Sequence, residues 1–146
     1  MLAMALPSWP QLNTNQATLG PMLPVVAKRG TQIHVKVPVR LLPGYHMNSN
    51  KPLDEYLIPL RLTWSPGTLE AGRIDYPPGK MEKYEFSEKP LSVLTGDVEI
   101  GTEFKVPASA SVGAQTVMGK LRYQACDNRA CYPPRNIDIK LQVDVQ

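Results

Sequence analysis

Five stretches of this chain alternate apolar and polar residues with a period of two. Successive side chains of a strand point to opposite faces, so each such stretch offers one face to a core and one to solvent. Ile33, Val35, Val37 and Val39 alternate with His34, Lys36 and Arg40. Pro38 falls on the outward face of that strand and has no N–H to donate, which predicts a sheet edge or a bulge there. Tyr56, Ile58, Leu60, Leu62 and Trp64 share a face in the second stretch, and Val98, Ile100, Phe104 and Val106 in the third. Val117, Leu121, Tyr123 and Ala125 line the fourth, and Ile137, Ile139, Leu141, Val143 and Val145 the fifth. The last two read as paired strands.

Shorter candidates, Arg73 to Tyr76 and Leu91 to Leu94, are bounded by the turn signals Pro66-Gly67, Pro77-Pro78-Gly79 and Thr95-Gly96. The total is about seven strands. Fifteen prolines, roughly twice the usual share, argue against helices. The pattern predicts an all-β, immunoglobulin-like antiparallel β-sandwich, with a closed barrel as the alternative. Residues 1–27, with Pro7, Pro10, Pro21 and Pro24 and no periodicity, read as an extended N-terminal arm, and residues 28–146 as one domain.

The chain's 146 residues suffice for one buried core. Sixteen Lys and Arg against thirteen Asp and Glu give a net charge of only +3, so composition does not favour nucleic acid as a partner. No run approaches the roughly 18 to 20 apolar residues of a membrane helix. Met1 to Leu6 is apolar but lacks the basic start and the length of a secretory signal.

Chemistry concentrates at the only two cysteines, Cys126 and Cys131, with four residues between them, between the last two strands. A bridge between them closes a loop of about six residues and stabilises by about 2 kcal/mol, less than half the value for a loop of about a hundred. Such a bond can open and close without unfolding the domain. Exchange through a mixed disulfide needs that property, and it needs neither metal nor organic cofactor. From Lys120 to Arg135, the cations Lys120, Arg122, Arg129 and Arg135 outnumber Asp127, which would lower a thiol pKa. Tyr132, Pro133 and Pro134 would stiffen the second cysteine's presentation. Spacing alone leaves two readings open, a redox pair and an inert loop staple in an exported protein. A zinc site built with His34 and His46 is a third, without finger spacing.

The run Tyr123-Gln124-Ala125-Cys126, continued by Cys131-Tyr132-Pro133-Pro134, resembles the active-site segment of the amino-terminal periplasmic domain of the thiol:disulfide interchange protein DsbD. Pro43-Gly44-Tyr45-His46-Met47 resembles that family's Gly-Tyr-Tyr-Leu-Tyr segment, and the similarity runs from about Lys28 to Gln146. The resemblance implies an immunoglobulin-like fold in the periplasm, often joined to a membrane-embedded electron carrier. It implies a cysteine pair that takes electrons from a thioredoxin-like donor domain and passes them to periplasmic disulfide-containing proteins. Cys131 would form the mixed disulfide and Cys126 would resolve it. Tyr84-Glu85-Phe86 resembles the family's cap loop, with Phe86 as the shield of the disulfide. Tyr45, His46, Tyr123, Arg129, Tyr132 and Pro133 would support the site. The chain departs from the best-known members in having four rather than five residues between the cysteines. His46 and Asn48 also stand where the family has tyrosines, and His46 reads as a group titrating near neutrality or as a solvated loop histidine. The contrasting functional class is a non-catalytic immunoglobulin-like binding or assembly module with a passive disulfide.

Overall fold

The computed structural model describes residues 15–146; the start of the expected arm, residues 1–14, lies outside the described residues. Strands β1 (Ala17–Leu19), β2 (Val25–Ala27), β3 (Gln32–Leu41), β4 (His46–Asn48), β5 (Arg61–Trp64) and β6 (Glu70–Asp75) occupy the first half. The second half holds β7 (Lys80–Glu82), β8 (Leu91–Leu94), β9 (Asp97–Lys105), β10 (Gly113–Tyr123), β11 (Ala125–Cys126) and β12 (Arg135–Val145). They form three four-stranded sheets among the described residues, ordered β1-β3-β9-β6, β2-β12-β10-β5 and β11-β4-β8-β7. Pairing is antiparallel except between β12 and β2. This is the immunoglobulin-like sandwich that the alternation predicts, with a small third sheet added.

The first two sheets close on one core. Val35, Val37, Val39, Ile100 and Phe104 from one meet Leu62, Trp64, Val117, Leu121, Ile139, Leu141 and Val143 from the other. Trp64 joins the layers twice. Its ring meets Phe104 edge-on at 5.0 Å between centroids, and its Nε1 donates to Thr102 Oγ1 at 3.0 Å. Room for the indole comes from Gly119, which lies opposite Trp64 in the β10–β5 register. β10 and β12 pair over their full lengths, as their matched alternation predicts.

Several sequence expectations need correction. The strand expected from Tyr56 begins only at Arg61, and Tyr56 is exposed. Residues before it turn instead, with Leu57 N–H donating to Asp54 O and Leu60 N–H to Ser49 O. β3 is neither an edge strand nor bulged at Pro38, since it lies between β1 and β9. Pro38 sits where β1 has just ended, and its carbonyl accepts from Gly20 N–H, so the donor it lacks would face a strand already leaving the sheet. The expected arm is not separate from the domain, because β1 and β2 pair with β3 and β12 and bury Ala17 and Ala27. Finally, the alternation through Ala125 is not one strand. It breaks at Gln124, and β11 crosses to the third sheet, where it pairs with β4.

Candidate functional site

The third sheet has two unlike faces. Met47 pairs with Ala125 and with Leu94, and all three side chains join the main core. Alternation turns their neighbours the other way: His46 opposite Cys126, and Asn48 opposite Val93. On that outer face Leu57, Leu91 and Val93 form a separate buried cluster, against which Tyr84, Phe86 and Cys131 pack.

Cys126 and Cys131 are joined by a disulfide across a tight hairpin. Asp127 N–H donates to Ala130 O at 3.0 Å, and Tyr132 N–H donates to Ala125 O at 2.9 Å. Asp127 holds the turn, its Oδ1 accepting from the Arg129 and Ala130 N–H groups at 2.8 and 2.9 Å and its Oδ2 from the Tyr132 hydroxyl. These bonds favour the ionised carboxylate, the Tyr132 hydroxyl most, and lower its pKa to about 2. The two sulfurs differ in access: Cys126 is fully buried and Cys131 partly exposed.

Gln124 anchors the strand break. Its Oε1 accepts from Asn48 Nδ2 at 2.9 Å and from Ile58 N–H at 3.0 Å, while its Nε2 donates to Tyr132 O at 3.2 Å. The Tyr84-Glu85-Phe86 segment lies in the β7–β8 connection, where Ser87 N–H donates to Tyr84 O at 3.2 Å. Tyr84 is the middle of an aromatic stack, 4.0 Å from His46 at 9° and 5.5 Å from Phe86 at 11°. Tyr45 meets Tyr132 edge-on at 6.1 Å. An open groove of about 400 Å³ runs beside the hairpin, with Tyr45, His46, Tyr84, Thr95 and Asn128 among its walls.

The structure thus gathers Cys126, Cys131, Tyr45, His46, Tyr84, Phe86 and Tyr132. It does not gather the others. Tyr123 is buried in the main core with its hydroxyl 3.4 Å from Gln16 Oε1, because β10 alternation turns it inward. Glu85, Arg129 and Pro133 are exposed. The basic cluster expected to favour a thiolate is dispersed: Lys120 and Arg122 point outward from β10, and Arg135 reaches Asn15 Oδ1 at 3.0 Å. The hairpin itself carries both the anion Asp127 and the exposed cation Arg129, whose charge favours the Asp127 carboxylate. His34 lies on the first sheet, 3.2 Å from Glu103, so the zinc set weighed from sequence does not assemble. The Leu57 cluster is a part of the site that sequence reading missed, and Asp127, Gln124 and Asn48 were noted there without the bonds that build it. Only Asp127 carried a local signal, since an Asp beginning a short turn commonly accepts from N–H groups two and three residues on.

His46 corrects both expectations for it. It is 3% exposed, and burial lowers its pKa from 6.5 to about 4, partly offset by Asp127. The folded state therefore holds it neutral near pH 7, and the sign of the linkage follows. Below pH 6.5 the unfolded chain binds a proton that the native imidazole refuses, so stability is intact above about 6.5 and falls as pH drops towards 4. The loss should reach about 3 kcal/mol. Denaturant melts of the oxidised domain at pH 7, 5.5 and 4 measure it, and His46→Phe should flatten this range. Asp127, whose contribution disappears only between about pH 4 and 2, leaves the window clear.

Comparison with known proteins agrees with this architecture. The family model described as thiol:disulfide interchange protein DsbD, N-terminal, matches residues 20–143. Among solved structures, the N-terminal periplasmic domain of ScsB from Proteus mirabilis is similar with a TM-score of 0.56 and 17% identity, over 88% of this chain and 44% of that one. This chain therefore spans less than half of the ScsB chain. AggA, the major subunit of aggregative adherence fimbriae type I from Escherichia coli, gives a TM-score of 0.39 and 8% identity over 91% of this chain and 97% of that one. No curated protein matches.

Proposed function

The chain belongs to the family of N-terminal domains of the thiol:disulfide interchange protein DsbD, and on that premise we propose that its Cys126–Cys131 pair relays electrons in the periplasm. Membership makes it a thiol-disulfide exchange domain. The finer reading is that a thioredoxin-like domain reduces the pair, which then reduces disulfides in periplasmic proteins. One observation carries it: of two bonded sulfurs on one hairpin, Cys131 is partly exposed and Cys126 is fully buried.

That asymmetry orders the chemistry. A donor thiolate attacks Cys131, forms a bond to its sulfur and displaces Cys126 as the leaving thiolate. A second donor thiolate then resolves the mixed disulfide and leaves Cys126 and Cys131 reduced. Transfer to a substrate runs the same steps in reverse order, with Cys131 attacking and Cys126 closing the ring. Because the bridge spans only one hairpin, both sheets of the sandwich keep their core through each cycle. Phe86, packed with Cys131 on the Leu57 cluster and braced by Tyr84, is the cap, and Tyr45 with Tyr132 supports the hairpin's other flank. Glu85 marks the cap loop's exposed edge.

The test is a trap. Cys126→Ser leaves Cys131 without its resolving partner, so a mixed disulfide with a thioredoxin-like protein should accumulate and run as a heterodimer on a non-reducing gel. Cys131→Ser should give none. If neither variant traps a partner and the native bond stays oxidised below about −300 mV in a glutathione series, the bridge is a passive staple. The domain is then a binding or assembly module.

A further inference from the structure

We infer that His46 is the proton acceptor for Cys126, the base that lets a buried thiol close the ring and release a bound partner. This deepens the exchange reading above and rests on it. Cys126 poses a problem that Cys131 does not. A thiol with no exposure is hard to ionise, because burial disfavours the charged form, and only the thiolate attacks. Solvent cannot take its proton directly, and the adjoining Asp127 carboxylate is already committed to Arg129 N–H, Ala130 N–H and the Tyr132 hydroxyl.

His46 lies directly opposite Cys126 in the β4–β11 register, so both side chains leave the sheet on one face. Its Nε2 is buried and has no hydrogen-bond partner. An unpaired buried nitrogen costs stability unless something uses it. Tyr84, stacked on the ring at 4.0 Å, fixes the imidazole plane. The titratable groups around the ring are few: Cys126 and Asp127 from the hairpin, Tyr84 from the β7–β8 connection, and Tyr45 preceding it in the chain. Tyr84 stays protonated, since burial and Glu82 raise its pKa. Asp127 is the one anion acting on the imidazole, and it favours the imidazolium once formed.

The step balances without any added oxidant or reductant. Starting from Cys131 bonded to a partner sulfur, His46 Nε2 takes the proton from Cys126 Sγ. The Cys126 sulfur attacks Cys131 Sγ and forms the intramolecular bond. The bond from Cys131 to the partner breaks, its electron pair leaves on the partner sulfur, and the imidazolium returns the proton to that thiolate. In this step the Cys126 sulfur is oxidised and the partner sulfur reduced; with the first attack by Cys131, the dithiol gives two electrons to the partner disulfide.

Oxidised glutathione tests this on the reduced chain. Mixing should give the Cys131–glutathione adduct, and acid quench with mass spectrometry should follow its decay as Cys126 expels glutathione. With the native residue, decay should be nearly independent of pH from 6 to 8, because the acceptor is neutral throughout. In His46→Phe, which keeps a flat ring under Tyr84, decay at pH 7 should slow about a hundredfold and rise nearly tenfold per pH unit as the thiol ionises unaided. His46→Gln, polar but not basic, should behave the same way and serves if the phenylalanine variant does not fold. An unchanged pH profile in whichever folded variant is measured overturns the role of His46. Failure of the native chain and of Phe86→Ala alike to form or release the adduct overturns the exchange reading instead.

Discussion

Phe86→Ala should expose the disulfide to small thiols, and reduction by glutathione should accelerate by about tenfold or more. Phe86 and Cys131 pack on the same Leu57, Leu91 and Val93 cluster, and access is one of the factors that set the rate of attack on sulfur. Removing the ring takes away cover without touching either cysteine. Reaction with a thioredoxin-like partner should change far less, because on the proposed reading that partner displaces Phe86 as it docks. The ratio of the two rates is therefore the informative measurement. A glutathione rate equal to that of the native chain would show that the ring does not shield the bond. A loss of fold would show in thermal melts, and Tyr84→Leu, which removes the brace on Phe86 at 5.5 Å, then asks the same question more gently.

Gly119→Ala should strongly destabilise the domain. An added Cβ would lie 2.7 Å from Trp64 Cε3 and 2.8 Å from Cζ3, closer than real contacts allow. Elsewhere in a strand alanine would gain on glycine by roughly 0.5 to 1 kcal/mol, so the sign here is decided by the indole. Overpacking costs about 1–3 kcal/mol, and a displaced indole also gives up its buried bond to Thr102 Oγ1. The net should be about 3 kcal/mol, or a melting temperature about 10 °C lower. Gly67→Ala, with open space around its Cβ position, should be near neutral in the same melts. If the two variants melt alike, Trp64 is not held against β10 as described.

Legibility in the sequence followed the length of the signal. β3, β9, β10 and β12 each alternate over at least nine residues, and for these the inward face was correct because one half of every residue pair must leave water. β1, β2, β4, β7 and β11 have two or three residues each, too few to show a period. Tyr56 and Ile58 imitated a strand because an alternating run looks alike whether or not a partner strand accepts it. In the structure Ile58 N–H donates to the side chain of Gln124, and Leu60 N–H to the backbone of Ser49. The cysteine pair and its flanking Tyr132 were readable as local features. His46 was visible as a residue, but its burial was not, since that depends on Tyr84 and Cys126 arriving from segments about forty and eighty residues away in the chain.

The amino-acid sequence by itself determined the sandwich and placed the cysteine pair at one hairpin. Both follow from short-range rules: period-two alternation selects the buried face, and two cysteines with four residues between them can meet whatever the rest of the chain does. The environment of those sulfurs was decided only in three dimensions. The break at Gln124 sends Cys126 onto a third sheet, opposite a histidine that is neutral because it is covered. Dehydration sets the ionisation of that histidine and cross-strand register places it opposite Cys126, and both arise from contacts between distant segments.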